Sequence, residues 1–385
     1  MNYDSETCIG VLGGGQLGRM LALEARRMGF RVMNWTGGDV SGAARLADHI
    51  LTQSFDCQDA FDQFVDSVDC ATVEFENIPK RLIEKLSEHI PIMPCASAVA
   101  VCQNRELEKT FLAKNNIPVA EFHIVNDAAS LQQAMRATPG DVILKTVESG
   151  YDGKGQLAAT SLDCPEHAEK TWHHFGGARA ILEQKIDLAA EISVMVVRGQ
   201  DGTIATYDPA ENQHVNHILD VSIVPARMPQ ELLDQAKSIA EEVAKSLDYV
   251  GVLGVEFFLD QSGNLLVNEM APRPHNSGHH TLDACETSQF EQQLRVLANL
   301  PLGSTRLNRP TVMLNLLGDI WEDEFTPPDW TPVLETPGAK LHLYGKLGAK
   351  PGRKMGHVTF VADTLEQAIQ YANSCKQAYH MKKFC

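Results

Sequence analysis

The sequence predicts a multidomain chain of α/β and α+β type, and three observations predict it. The chain opens on a βαβ unit, continues through short strands set among helices and glycine turns, and ends in a small unit behind a proline-rich stretch. In the opening unit, residues 7–13 (TCIGVLG) read as a buried strand. Gln16 to Met28 carries leucine and alanine at helical spacing, and Phe30 to Trp35 turns extended again. Cys70 to Phe75 reads as a further strand, and Lys80 to His89 as a helix ahead of Pro91 and Pro94. A helix over Arg105 to Asn115 follows, then strands at 142–145, 180–186 and 191–197. A longer helix, Gln230 to Leu247, precedes two strands, and beyond Gly303 prolines at 327, 328, 332 and 337 lead into the last unit.

A chain of 385 residues is long enough for two or three cores, and 44% hydrophobic with 22% charged residues excludes a disordered or fibrous protein. The chain shows neither an apolar run long enough to span a membrane nor a signal-like start, so a cytoplasmic location is expected. Nine cysteines with no CxxC pair read as reduced thiols. With 33 Lys and Arg against 50 Asp and Glu, the net charge of −17 argues against a general nucleic-acid binder. Anionic substrates must then be held by local cations, helix ends or metal.

Gly13, Gly15 and Gly18 form a GxGxxG spacing between the first strand and the first helix, where backbone N–H groups can approach an anion. Asp39 lies past a Gly37-Gly38 turn, a doubtful position for reaching a ribose. A dinucleotide, another phosphorylated ligand and a purely structural turn all remain open. Lys145, at the end of a strand, precedes a glycine-rich connection, Gly150-Tyr151-Asp152-Gly153-Lys154-Gly155-Gln156, which is not a Walker loop. Its N–H groups could cover phosphates beside the lysine charge; a hairpin with a surface lysine is the alternative.

Val252 to Leu259 and Leu265 to Glu269 read as a hairpin with a four-residue turn, Gln261 to Asn264. That register pairs Asp260 with Leu265 and sets Glu256 opposite Glu269. Two carboxylates in this position repel each other unless a cation lies between them. With Asn268 adjacent, the oxygen set suits Mg²⁺, with Mn²⁺ as a substitute; solvated surface acids are the alternative. The run from Ala271 to His279 presents Arg273, His275 and Asn276, donors for a small planar oxyanion. Its histidines lack the thiolates or the helical spacing of a zinc site. Near the C-terminus, Lys340, Lys346, Lys350, Arg353 and Lys354 reverse the local charge and suit a phosphate monoester, with an idle basic loop as the alternative.

Taken together, GGGQLGRML at 13–21, FENIP at 75–79, QNRELEKTFL at 103–112, GYDGKGQ at 150–156, GVEFF at 254–258, NEMAPRPHNSGH at 268–279 and PGRKMGHV at 351–358 resemble the 5-(carboxyamino)imidazole ribonucleotide synthetase family of the ATP-grasp superfamily. The resemblance implies an N-terminal Rossmann-like (pre-ATP-grasp) domain at 1–103. A central ATP-grasp domain at 104–302, with a lid at about 120–187, and a small C-terminal domain at 303–385 complete it. The implied activity is an ATP-dependent carbon–nitrogen ligase of purine biosynthesis. It would join bicarbonate to 5-aminoimidazole ribonucleotide through carboxyphosphate, releasing ADP and phosphate.

The same resemblance implies the site residues. Arg105, Lys145 and the loop Gly150 to Gln156 would hold the ATP phosphates. Glu183, Gln184, Lys185 and Ile186 would face adenine with their backbone, Glu191 would take the ribose, and His214 would lie near the nucleotide. Glu256, Glu269 and Asn268 would bind the metal. Gln16, Leu17, Glu76, Lys346, Arg353 and Lys354 would hold the aminoimidazole ribonucleotide, with Tyr151, Arg273, His275 and Asn276 beside bicarbonate. A homodimer is implied, and neither nucleic acid nor membrane is an expected partner. A dinucleotide-dependent oxidoreductase, a non-catalytic nucleotide sensor and a formate-using sister ligase are the rival functions.

Overall fold

In the computed structural model of the chain, residues 6–39, 43–148 and 155–384 are described. The N-terminal strands β1 (Cys8–Leu12), β2 (Arg31–Trp35), β3 (His49–Leu51) and β4 (Cys70–Val73) form a parallel sheet in the order β3-β2-β1-β4. β1 and β4 are buried along their whole length, as expected of strands covered on both faces. The helix Gln16–Arg27 starts directly after the glycine turn.

The next strands, β5 (Phe122–Val125), β6 (Asp141–Thr146), β7 (Gln156–Thr160) and β8 (Ala180–Gln184), make an antiparallel sheet in the order β5-β8-β6-β7. Leu131 and Met135 of the helix Ala128–Ala137 cover it, packing on Val142, Leu144 and Leu182. The strand expected at 180–186 ends at Gln184, so Lys185 and Ile186 lie in the connection to the next sheet.

That sheet has nine strands. They are β9 (Leu188–Arg198), β10 (Ile204–Thr206), β11 (Ala210–Val215), β12 (Ile218–Val224), β13 (Gly251–Asp260), β14 (Leu265–Ala271), β15 (Thr311–Leu317), β16 (Ala339–Leu343) and β17 (Lys354–Val361). Their order is β14-β13-β9-β11-β12-β15-β17-β16, with β10 on β9. The terminal unit therefore continues the central sheet across the β12–β15 pairing, Val224 to Thr311 and Val221 to Leu314.

Alternation along the terminal strands separates two buried faces. Val312, Leu314, Leu316, Val358 and Phe360 form an apolar core with Ala368 and Ala372 of the helix Leu365–Ala378. Asn315, His357 and Thr359 point the other way and are equally buried. The helix is tied down further by a buried ion pair between Lys376 and Asp220 of β12. Among the described residues, no helix is long and apolar enough to cross a membrane.

Candidate active site

The glycine turn faces an internal anion. Glu74, directly after β4, is buried, and its carboxylate accepts the N–H of Gly15 at 2.7 Å and of Gly18 at 3.0 Å. A Cβ at Gly13 would lie 2.2 Å from Glu74 Cγ, and one at Gly15 2.8 Å from Oε1. The glycines thus make room for the chain's own carboxylate, and these helix-terminal donors are not open to a dinucleotide phosphate. Gln16 is partly exposed at the helix start, whereas Leu17 is a core side chain, so only its backbone can face a ligand.

The hairpin sets Glu256 opposite Glu269, as the sequence predicts, but by a different route. Leu259 pairs with Leu265, not Asp260, which leaves a five-residue loop, 260–264. Asp260 organises that loop by accepting from Ser262 N at 2.9 Å and Asn264 N at 2.8 Å, while Gly263 adopts φ +84°. The register then shifts between Glu256 and Phe257, where Asn268 is the extra residue, and the shift restores the pairing of the two acids. The bulge also frees Asn268 from strict alternation, so it need not face away from Glu269. Burial, and then the Glu269 carboxylate, push the Glu256 carboxyl up to about 8.

The residues expected to meet the nucleotide form a second charged group. Lys145 Nζ donates to Glu183 Oε2 at 2.7 Å, and Lys109 Nζ lies 3.8 Å from the same oxygen. All three are buried. Burial alone would raise the Glu183 carboxyl, but the two lysines hold it below the usual range. Lys109 is absent from the residues expected from the sequence, although it sits one helical turn after Arg105 on the helix Arg105–Lys114 and so shares its face. Arg105 itself donates through Nη1 to Thr146 O at 3.0 Å. Glu108, also missed, accepts from Met270 N at 2.6 Å and is raised to about 8, by burial first.

Gln184 N and Lys185 N already donate to Glu121 O and Asp141 O, at 2.9 and 3.0 Å. Glu191 Oε1 lies 3.3 Å from His214 Nδ1. Of the glycine loop, Gly155 has φ +69°, and a Cβ there would meet Thr146 Oγ1 at 2.5 Å; Gln156 pairs with Lys145. Gly150, Tyr151, Asp152, Gly153 and Lys154 lie outside the described residues.

The Ala271 to His279 segment connects the domains. Arg273 donates through Nε to Glu76 Oε2 at 2.7 Å and through Nη1 to Pro274 O at 3.2 Å, so its guanidinium is largely engaged. His275 Nε2 lies 3.4 Å from Glu256 Oε1. Burial, then the charge of Arg273, push its imidazole well below the usual range. Asn276 is buried with both side-chain polar atoms unpartnered within the chain, which marks it as facing a ligand or water. Of the terminal cations, Lys340 and Lys350 are exposed, while Lys346, Arg353 and Lys354 are near enough to act on one another. Arg353 Nη1 donates to Gly348 O at 2.6 Å. The charge of Lys354 reaches Glu76, Glu256, His214 and His275. Among the described residues no three or more His, Cys, Asp or Glu come together as a group that could hold a metal.

Three domain families match in series. They are the ribonucleotide synthetase preATP-grasp domain at 6–103, the ATP-grasp domain at 110–290, and the phosphoribosylaminoimidazole carboxylase C-terminal domain at 311–371. The N5-carboxyaminoimidazole ribonucleotide synthase of Bacillus subtilis is 41% identical over 362 residues, covering 94% of this chain and 93% of that one. A solved N5-carboxyaminoimidazole ribonucleotide synthetase in its ADP complex superposes with a TM-score of 0.87 at 40% identity, covering 97% of this chain and 96% of the other. The Aspergillus clavatus synthase, solved with ADP and 5-aminoimidazole ribonucleotide, gives 0.87 at 29% identity over 98% of this chain and all of its own. On this combined similarity of sequence, domain series and fold, the chain belongs to the N5-carboxyaminoimidazole ribonucleotide synthase family of ATP-grasp ligases.

Proposed function

We propose that the cleft between the three domains carboxylates the amino group of 5-aminoimidazole ribonucleotide with bicarbonate at the expense of ATP. The observation that carries this reading is the Glu256–Glu269 pair, two facing carboxylates with Lys354 and His275 beside them and the Lys145–Glu183–Lys109 group close by. A bicarbonate oxygen attacks the γ-phosphorus and ADP leaves. The amine then takes the carboxyl carbon, from carboxyphosphate itself or from the CO₂ it releases, phosphate leaves, and the amine loses a proton.

Lys145 and Arg105 hold the phosphates, with Lys109 as a further cation behind them. The adenine edge falls to Ile186 and to the carbonyls of Gln184 and Lys185, because two of the neighbouring N–H groups are engaged in the fold. Glu191 faces the ribose and His214 lies beside it. Glu256 and Glu269, with Asn268, fit a divalent ion that takes its other ligands from phosphate and water; their mutual repulsion supports that fit. When bound, Mg²⁺ or Mn²⁺ neutralises charge on the transferred phosphoryl group.

Lys346, Arg353 and Lys354 take the ribonucleotide phosphate, with Gln16 and the backbone of Leu17 across from them. Asn276 and His275 hold bicarbonate. Arg273, clamped to Glu76, contributes charge and its remaining N–H groups. The Gly150 to Gln156 loop, with Tyr151, covers the intermediate against water. The test is phosphate release from Mg-ATP with bicarbonate and the ribonucleotide added singly and together. Full release only with both supports the reading; release independent of either, or reduction of a nicotinamide cofactor, removes it.

A further inference from the structure

His275 stands at the end of a buried hydrogen-bond chain that runs away from the cleft. Ser222 Oγ donates to Asn212 Oδ1 at 2.7 Å, Asn212 Nδ2 to Ser193 Oγ at 2.9 Å, and Ser193 Oγ to Ser277 Oγ at 2.7 Å. Ser277 Oγ then lies 2.9 Å from His275 Nδ1, and all four residues behind the histidine are buried. Hydroxyl chains of this kind can run in either direction, so the fixed group at the end of the chain decides. The backbone N–H of Ser277, which can only donate, points at Nδ1 at 3.4 Å, so Nδ1 is the accepting nitrogen. Ser277 Oγ, at the shorter distance, therefore donates to it, and the neutral ring carries its proton on Nε2, 3.4 Å from Glu256 Oε1. The histidine backbone is held as well, since Gln289 accepts from His275 N at 2.9 Å and donates to His275 O at 2.8 Å.

We propose that Ser277, backed by Ser193, is a positioning residue that locks His275 in the Nε2–H tautomer, so that its imidazole enters the cleft as a hydrogen-bond donor to an anionic oxygen. The proposal deepens the reading of the site given above and rests on it. It has a chemical consequence. A ring locked this way has no lone pair facing the cleft and cannot take the proton released by the attacking amine, so that proton leaves by another route.

The test is the histidine ¹⁵N–¹H correlation spectrum of the full-length protein at neutral pH, with His275 assigned by the signals lost in His275→Gln. The expected wild-type pattern is a protonated Nε2 and an imine-type Nδ1. Ser277→Ala is expected to mix the tautomers and to lower kcat about tenfold or more, with the KM for ATP unchanged. Ser193→Ala should move both in the same direction by less. A wild-type Nδ1–H or doubly protonated ring, or a tautomer pattern unchanged in Ser277→Ala, overturns the proposal, and the wild-type spectrum decides even where a variant fails to fold. Phosphate release by the same wild-type sample judges the functional reading separately, because the tautomer is read without turnover.

Discussion

Glu74 closes the N-terminal glycine turn from beneath, its two carboxylate oxygens accepting from Gly15 N and Gly18 N. The turn that would grip a dinucleotide phosphate in other proteins here grips its own domain. Burial pushes the Glu74 carboxyl up, and the two N–H groups, with Arg273 and Lys346 nearby, oppose that shift. Glu74→Ala is expected to cost about 2 kcal/mol in urea unfolding, the order of a hydrogen bond to a charged group, and to create no affinity for NADH or NADPH. A stability loss well below 1 kcal/mol, or cofactor binding by the variant, would contradict the internal-anion role.

Glu183 is the buried carboxylate that Lys145 and Lys109 share. Glu183→Gln leaves two buried ammonium groups without it, and unpartnered buried charge costs about 3–5 kcal/mol. In the proposed site, ATP would bring its own negative phosphates to the same lysines. Saturating Mg-ATP is therefore expected to raise the melting temperature of Glu183→Gln by more than it raises that of the wild type. Equal shifts in thermal unfolding would detach these lysines from the nucleotide.

Local patterns made much of this molecule legible. The strand at β1 and the helices after Gly15 and Asn104 follow from apolar spacing and helix-start residues, and the structure places them within a few residues of expectation. The acid pair was legible only through two offsetting features. A loop one residue longer than expected and a bulge at Asn268 shift the register in opposite senses, and the strand residues alone specify neither the loop length nor the place of the bulge. The Arg273–Glu76 pair spans 197 residues of sequence, and the joining of β12 to β15 crosses a domain boundary. Such contacts are set by tertiary packing, and no spacing rule reaches them. Lys109 differs, since its i, i+4 relation to Arg105 was available in the sequence.

Burial, with Arg353 and then Lys354 as like-charged neighbours, depresses the Lys346 ammonium from 10.5 to about 8. In the ligand-free fold the charged form is disfavoured, so Lys346 lowers stability below pH 8, and that penalty lifts as pH rises toward 10.5. Binding of a phosphate monoester runs the opposite way, since it needs the proton. The KM for the ribonucleotide is expected to rise above pH 8, approaching tenfold per pH unit, and Lys346→Arg should remove the inflection. A flat KM from pH 7 to 9 in the wild type would place the phosphate elsewhere.

Glu269→Gln separates a functional acid pair from a structural one, because the two predict opposite signs. In the ligand-free protein Glu269 is a neighbour that keeps the Glu256 carboxyl high, so replacing it relieves repulsion across the strand pair. The variant is expected to be as stable as the wild type or more stable by about 0.2–1 kcal/mol. Since Glu256 is raised from 4.5 to about 8 in the fold, wild-type stability from this group is present at low pH and is lost as pH rises through that window. The variant should lose less over the same range. Turnover moves the other way, because one of two carboxylates available to a divalent ion is gone, and bicarbonate-dependent phosphate release is expected to fall at least a hundredfold, about the cost of one key electrostatic group. Thermal unfolding against pH and phosphate release, measured on one preparation, check both signs. A destabilised variant with normal turnover would make the pair an ordinary element of the hairpin and leave the cleft without its metal site.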